Sequence, residues 1–193
     1  LGSLGDIYIN DAFSCSHRKQ ASIHNITKFI KKSFAGPLLK KEINAINFVI
    51  QNKKVILRLD LNVPLRDKII QDDTRIALCL PFIKKLVEKK AKIIIISHLG
   101  RPKGIKVPEL SLMPIYKFLK KSLPTNVYFY MGNLDEDTQD KFSHLKEGEI
   151  ILIENIRYFK EENNNDEKFS KKLGSLGDIY INDAFSCSHR KQA

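Results

Sequence analysis

The sequence predicts an α/β fold: three layers, αβα, with a Rossmann-like parallel sheet carrying helices on both faces. Three observations predict it. Short β-branched apolar runs alternate along the chain with segments whose apolar residues recur three and four positions apart. Most of the runs are apolar on both faces, the pattern of strands covered on both sides. With 193 residues, 42% apolar and 28% charged, the chain can bury one core but is short for two full-sized domains. A single domain over 1–193 is expected.

Five runs read as strands. Val55 to Leu59, Ile93 to Ile96 and Ile150 to Ile153 are dense in Ile, Leu and Val, and Val127 to Met131 adds aromatics. Ile179 to Ile181 is the fifth, and the same residues stand at Ile7 to Ile9. Helices are expected at Ile76 to Lys89, Leu112 to Ser122, Leu134 to Leu145 and Asp166 to Leu173; in the second, Leu112, Ile115, Tyr116 and Leu119 share one side. The segment Ser22 to Ile46 is basic, is expected to end in a helix after Gly36-Pro37, and reads as a lid or flank of the sheet. Low complexity is confined to Glu161 to Asp166, an expected exposed turn with Asp166 capping the next helix.

The two ends repeat. Leu1 to Ala21 recurs residue for residue as Leu173 to Ala193, leaving 172 unique residues. An old structural repeat would have drifted and would recur throughout, so this reads as a chain slightly longer than one turn around a closed sequence. One sheet has one slot for Gly177 to Phe185, so the two copies compete for it. The residue pattern leaves open which copy wins, and a surplus copy can dock into a neighbouring chain to give swapped homo-oligomers.

Lys and Arg outnumber Asp and Glu by 33 to 22, a formal charge of +11, and the repeat is neutral by count. That excess excludes an acidic disordered tail and admits anionic ligands or nucleic acid. No apolar run approaches the roughly 20 residues that cross a bilayer, and no charged-then-apolar leader opens the sequence. A cytoplasmic protein without a membrane partner is expected. Cys15, Cys79 and Cys187 give neither metal spacing nor a disulfide framework, and Cys15-Ser16-His17 offers too few ligands for a metal.

In open α/β sheets ligands bind beyond the carboxyl ends of the strands. Those positions here are Asp60 and Asn62 after the first run, Ser97-His98-Leu99-Gly100-Arg101 after the second, Glu154-Asn155-Ile156-Arg157 after the fourth, and Asn182-Asp183 with His189-Arg190 after the last. Only seven basic residues are arginine, and Arg18 duplicates Arg190. Three of the six distinct arginine positions, Arg101, Arg157 and Arg190, fall in these loops, and Arg75 stands where a helix begins. The planar guanidinium fork suits phosphate and carboxylate, so the pattern points to a small phosphorylated acid. Taken singly, each residue has an ordinary reading: a loop Arg is solvated, Asp and Asn form turns, His98 is a hydrogen-bonded structural histidine. Arg58, inside a strand, reads as snorkelling or paired to a carboxylate. The sequence contains neither G-x-x-x-x-G-K-[ST] nor G-x-G-x-x-G, so any nucleotide must be held elsewhere.

At these same residues the sequence resembles the phosphoglycerate kinase family, specifically its N-terminal, 3-phosphoglycerate-binding lobe. The matching stretches are VILRLDLNVP (Val55 to Pro64), Asp73-Thr74-Arg75-Ile76, SHLGRPKG (Ser97 to Gly104), ENIRYF (Glu154 to Phe159), GDIYINDAF (Gly177 to Phe185), and His17-Arg18 through Ala21-Ser22. The order is permuted: the family would run from about Asn47 to Ala193 and continue as Ser22 to Ile46, placing the junction near 46–47.

The resemblance implies that Asp60, Asn62, Arg75, His98, Arg101, Arg157 and Arg190, or its twin Arg18, surround 3-phosphoglycerate. Arg75 would then act as the catalytic residue, offsetting charge on the phosphoryl group moving between 1,3-bisphosphoglycerate and Mg-ADP. The family has Phe where Leu61 stands and His where Gln20 and Gln192 stand. It also continues into a nucleotide-binding lobe that would hold Mg-ATP or Mg-ADP. That lobe is absent from this sequence, so no cofactor is expected here, and the chain is expected to bind substrate without turnover unless the lobe is supplied in trans. The rival readings are a non-catalytic self-assembling lobe and a basic nucleic-acid-binding module. The second is disfavoured because Phe and Tyr mostly sit in apolar runs rather than interleaved with exposed basic residues.

Overall fold

The computed structural model describes residues 5–11, 21–22, 25–30, 32–38, 40–41, 50–135 and 137–184. They fall into two units, Leu1–Val49 and Ile50–Ala193.

In the first unit, β1 (Ile7–Asn10) pairs in parallel with β2 (Lys32–Ala35), in register from Ile7 opposite Lys32 to Asn10 opposite Ala35. The Gly36 amide donates to the Asn10 carbonyl at 2.8 Å, and the Tyr8 hydroxyl to the Ser22 carbonyl at 2.8 Å. Residues 37, 38, 40 and 41 are helical, as expected after Gly36-Pro37. Strand β2 was not expected: all four of its residues are exposed, so it carries none of the apolar alternation that marks a strand.

The second unit contains the predicted sheet. Strands β3 (Lys54–Leu59), β6 (Lys92–Ile96), β7 (Val127–Tyr130), β8 (Ile150–Ile153) and β9 (Ile179–Asp183) are all parallel, in the order β7-β8-β6-β3-β9. A small hairpin, β4 (Leu65–Arg66) and β5 (Ile69–Ile70), follows β3. Of the two copies of the repeat, the second therefore supplies the strand of the five-stranded sheet.

Alternation along the strands makes two apolar layers. Val55, Leu57 and Leu59 join Ile93, Ile95, Ile150 and Leu152 on one face, under Ile76, Ile83 and Leu86 of α1 (Thr74–Glu88) and Ile115 and Leu119 of α2 (Met113–Ser122). Ile56, Ile94, Ile96, Ile151 and Ile153 face the other way, against Phe142 of α3 (Thr138–Ser143) and Phe169 of α5 (Glu167–Ser175). Helices thus cover both faces. None of the described helices is long and apolar enough to cross a membrane.

Two expectations need correction. The helix expected over Leu134 to Leu145 is confined to Thr138–Ser143, because the Thr138 hydroxyl binds back to the Asn133 carbonyl and Asp135 carboxylate and makes the preceding residues a turn. Glu161 to Asp166 is not wholly an exposed turn. Lys160–Asn163 forms α4, and Glu162 is buried. Asp166 does cap α5, accepting from the Phe169 amide at 2.8 Å. Arg58 shares the face of Ile56 and pairs with Glu162 at 3.5 Å, the carboxylate pairing that its place inside a strand suggested.

Candidate functional site

The carboxyl ends of β3, β6 and β8 are adjacent because those strands are adjacent, and the loops leaving them are stitched together by side chains. Ser97, fully buried at the end of β6, donates to the Leu59 carbonyl at 2.8 Å and accepts from the Leu61 amide at 3.1 Å. That fixes where Asp60 and Asn62 emerge. Leu61, the position where the resemblance leads one to expect Phe, is fully buried in the core. The Ile156 amide donates to the Ser97 carbonyl at 3.1 Å, tying in the loop after β8.

Gly100 is the centre of this rim. Its amide donates to the Asn62 side-chain oxygen at 3.0 Å, and its carbonyl accepts from the Arg157 guanidinium at 2.8 Å. Gly100 has φ +60°, and an added Cβ would lie 2.7 Å from a Leu110 methyl, so both backbone and space require glycine. Asn155, fully buried, donates to the Leu99 and Leu110 carbonyls at 2.8 Å each and holds the far side of the same loop.

Asp60 and Arg75 form an ion pair at 2.5 Å; the Arg75 side chain is half-exposed and the Asp60 side chain mostly covered. Arg75 belongs to the first turn of α1, whose amino end adds favourable potential for an anion. Arg157 is buried and joined to the loop backbone, while Arg101 is exposed on the same loop. His98 is buried at the end of β6. The rim's charges reach their surroundings. Burial, with the Asp183 and Asp60 carboxylates adding to it, pushes the Cys79 thiol up to about 11. Burial likewise pushes Glu162 up to about 7, the Arg58 and Arg157 cations recovering only part of the shift.

Of the residues singled out from sequence, the structure links Asp60 to Arg75, and Asn62 to Arg157 through Gly100. His98 and Arg101 flank Gly100 in sequence. Arg18 and Arg190, with Cys15, His17, Cys187, His189, Gln20 and Gln192, lie outside the described residues. Ser97, Gly100 and Asn155 were not singled out, although all three stand in the quoted strand-end loops. The one advance signal was position, since small polar residues and glycine directly after a strand read as ordinary turn formers.

Comparison with known proteins gives a consistent answer. The family model for phosphoglycerate kinase matches residues 1–54 and 46–193. Phosphoglycerate kinase of Dictyoglomus turgidum is 47% identical over 144 residues, covering 75% of this chain and 36% of the relative. The cytosolic phosphoglycerate kinase of Triticum aestivum is 46% identical over 145 residues, with 75% and 36% covered. Among solved structures, the phosphoglycerate kinase of Coxiella burnetii aligns with a TM-score of 0.65 at 39% identity, covering 74% of this chain and 35% of that one. The Pyrococcus horikoshii enzyme aligns with a TM-score of 0.63 at 31% identity, with 74% and 36% covered. The chain thus spans little more than a third of the length of these relatives, and with a family model matching along its whole length and its sheet and strand-end loops in place, it belongs to the phosphoglycerate kinase family.

Proposed function

We propose that this chain is the substrate lobe of a phosphoglycerate kinase, binding 3-phosphoglycerate or 1,3-bisphosphoglycerate for phosphoryl transfer to or from a nucleotide in glycolysis. The observation that carries the reading is the convergence of Asp60, Asn62, Arg75 and Arg157 on one rim of a parallel sheet, through contacts centred on Gly100 and on the Asp60–Arg75 pair. In this reading the two stretches that match the family, 1–54 and 46–193, are one lobe in permuted order, and Arg190 or Arg18 completes the ligand set. Arg101 and Arg157 bind phosphate and carboxylate. Arg75, half-exposed beside Asp60, faces the group in transfer and offsets its charge.

The family uses Mg-ATP or Mg-ADP. The rim's carboxylate, Asp60, is committed to Arg75, and the groups gathered around Gly100 are guanidinium and amide, a donor set suited to a small anion rather than to a magnesium ion. We assign the nucleotide to the part of the family's length that these residues do not cover and derive no step through it. The chain alone then binds substrate without turning it over, in the cytoplasm.

Calorimetric titration with 3-phosphoglycerate tests this. Each charge-assisted bond contributes roughly 1.5–3 kcal/mol, so Arg101→Ala, at an exposed position, should weaken binding about 10- to 100-fold. Arg157→Ala should weaken it at least as much. Titration with single-stranded DNA at low and moderate salt separates the rival, because polyanion binding collapses steeply with salt. Unchanged affinity in both arginine variants, or coupled ATP turnover by the chain alone, overturns the reading.

A further inference from the structure

Beyond the carboxyl ends of β7 and β8 the second unit holds a cavity of about 500 Å³ that the substrate reading does not use. The hairpin β4–β5 reaches it through Lys68, the loop before α2 through Val107, and the first turn of α2 through Met113. Met131, just past β7, and Glu154, just past β8, complete the wall. None of Asp60, Asn62, Gly100, Arg101 and Arg157 lines it, so it is a different place from the rim.

The wall is held in shape by the chain's own bonds. Glu154 accepts from the Ser111 hydroxyl at 2.6 Å and from the Leu112 and Asn155 amides at 2.8 and 2.7 Å, while the Tyr158 hydroxyl donates to the Val107 carbonyl. A cavity of this size, with fixed and mainly apolar walls and a few polar groups, has the character of a small-molecule site. Two thioethers, Met113 and Met131, line it, and sulfur makes favourable contacts with aromatic rings.

Charge narrows the guest further. Lys68, Lys106 and Lys117 stand around the cavity against Glu109 and Glu154, which leaves one positive charge over. The lysine ion pairs among the described residues use Lys90, Lys141 and Lys171 instead. All three cavity lysines are exposed, and their long stems let an ammonium reach across an apolar body to a charge at the mouth. No arginine lines the cavity among the described residues, so the guanidinium fork that suits a phosphate is missing.

We propose that this cavity is a second binding site, for an aromatic monocarboxylate whose ring lies between Met113 and Met131 and whose carboxylate meets Lys106 and Lys117. A single negative charge matches the single positive charge left over. The inference does not rest on the substrate reading, and its test contains no substrate.

Amide-resolved NMR titration of the full chain with 1-naphthylacetate, and with its neutral amide, tests the site. Saturable shifts should centre on Val107, Met113 and Met131, and the neutral amide should bind about 3-fold or more weaker. Lys106→Ala and Lys117→Ala should each weaken the acid about 2- to 5-fold. Met131→Glu, which cancels the surplus positive charge, should weaken it about 5-fold or more. Glu109→Gln should act in the opposite direction and tighten binding about 2-fold, a gain that mere damage to the fold would not produce. All four substituted positions are exposed, so the variants should keep the sheet. Shifts centred on Gly100, Arg101 and Arg157 would place the acid on the rim and overturn the proposal. Equal affinity for acid and amide, affinity untouched by all four changes, or shifts that never saturate overturn it as well.

Discussion

The same residues, Gly-Asp-Ile-Tyr-Ile-Asn, occur twice in this protein and do two different things. As β9, Ile179 and Ile181 are half-covered and pack on the core shared with Val55, Leu57 and Ile93, the Asp178 carboxylate accepts from the Lys54 amide, and Gly177 lies against Ile56. As β1, Ile7 and Ile9 are more than half exposed, and Gly5 meets nothing closer than 3.9 Å. Local propensity is identical in the two copies, so every difference comes from neighbours. Strand preference is a fit to a half-buried surface rather than a property of the backbone sequence. The duplication supplies an internal control: a substitution made at matching positions changes only the context.

The largest difference should come from the apolar side chain that enters the core. Ile181→Asp brings a carboxylate against the layer formed by Val55 and Leu57 and should lower stability by about 3 kcal/mol or more. Ile9→Asp, at an exposed position, should stay within about 0.5 kcal/mol. Urea denaturation of both variants measures the gap, and equal losses would show that the five-stranded sheet does not depend on the second copy.

A smaller gap is expected at the glycines. At Gly177 an added Cβ lies 2.7 Å from Ile56 Cγ1 and 3.0 Å from the Lys54 carbonyl oxygen, so Gly177→Ala forces β3 and β9 to shift and costs about 1–3 kcal/mol. Gly5→Ala meets open space and should be neutral or slightly stabilising through the unfolded chain. The two midpoints should move in opposite directions, or only the first should move.

What was legible in the sequence follows the same division between pattern and context. β3, β6 and β8 were readable because a strand buried on both faces is apolar at nearly every position, Arg58 with its buried partner Glu162 being the exception, and their boundaries hold to within a residue. The hairpin β4–β5 was not readable. Its turn places Asp67 and Lys68 at φ 50° and 62°, a geometry usually signalled by Asn-Gly or Asp-Gly, and Asp-Lys carries little of that signal. Glu162 sits in an acidic, Asn-rich run that reads as solvated. Only the arrival of Arg58 on the same sheet face makes its burial intelligible. At the candidate site, Arg75 and Arg157 stood out because arginine is sparse among the basic residues, whereas Asp60 and Asn62, ordinary turn formers by type, stood out only by their place after a strand. Ser97, Gly100 and Asn155 hold those loops in place and were hidden because turn residues are common.

The finest test of the comparison is at Asp178 and its twin Asp6. Asp178 Oδ2 accepts from the Lys54 amide at 2.9 Å, while the Asp178 amide donates to the Lys54 carbonyl at 2.8 Å, so both polar groups of one β3 residue are met just before the β9 ladder begins. Removing the carboxylate leaves the Lys54 amide to water, since the bond lies at the surface, and the loss is one exposed hydrogen bond rather than a buried orphan. Asp178→Ala should therefore cost about 0.5–1.5 kcal/mol. Asp6 is exposed, and Asp6→Ala should change stability by less than about 0.5 kcal/mol. Hydrogen exchange at the Lys54 amide locates the effect: Asp178→Ala should speed exchange there while the centre of β6 keeps its protection, and Asp6→Ala should leave both unchanged. Faster exchange at Lys54 in the Asp6 variant would mean that the first copy shares the place on β3 that the structure gives to β9.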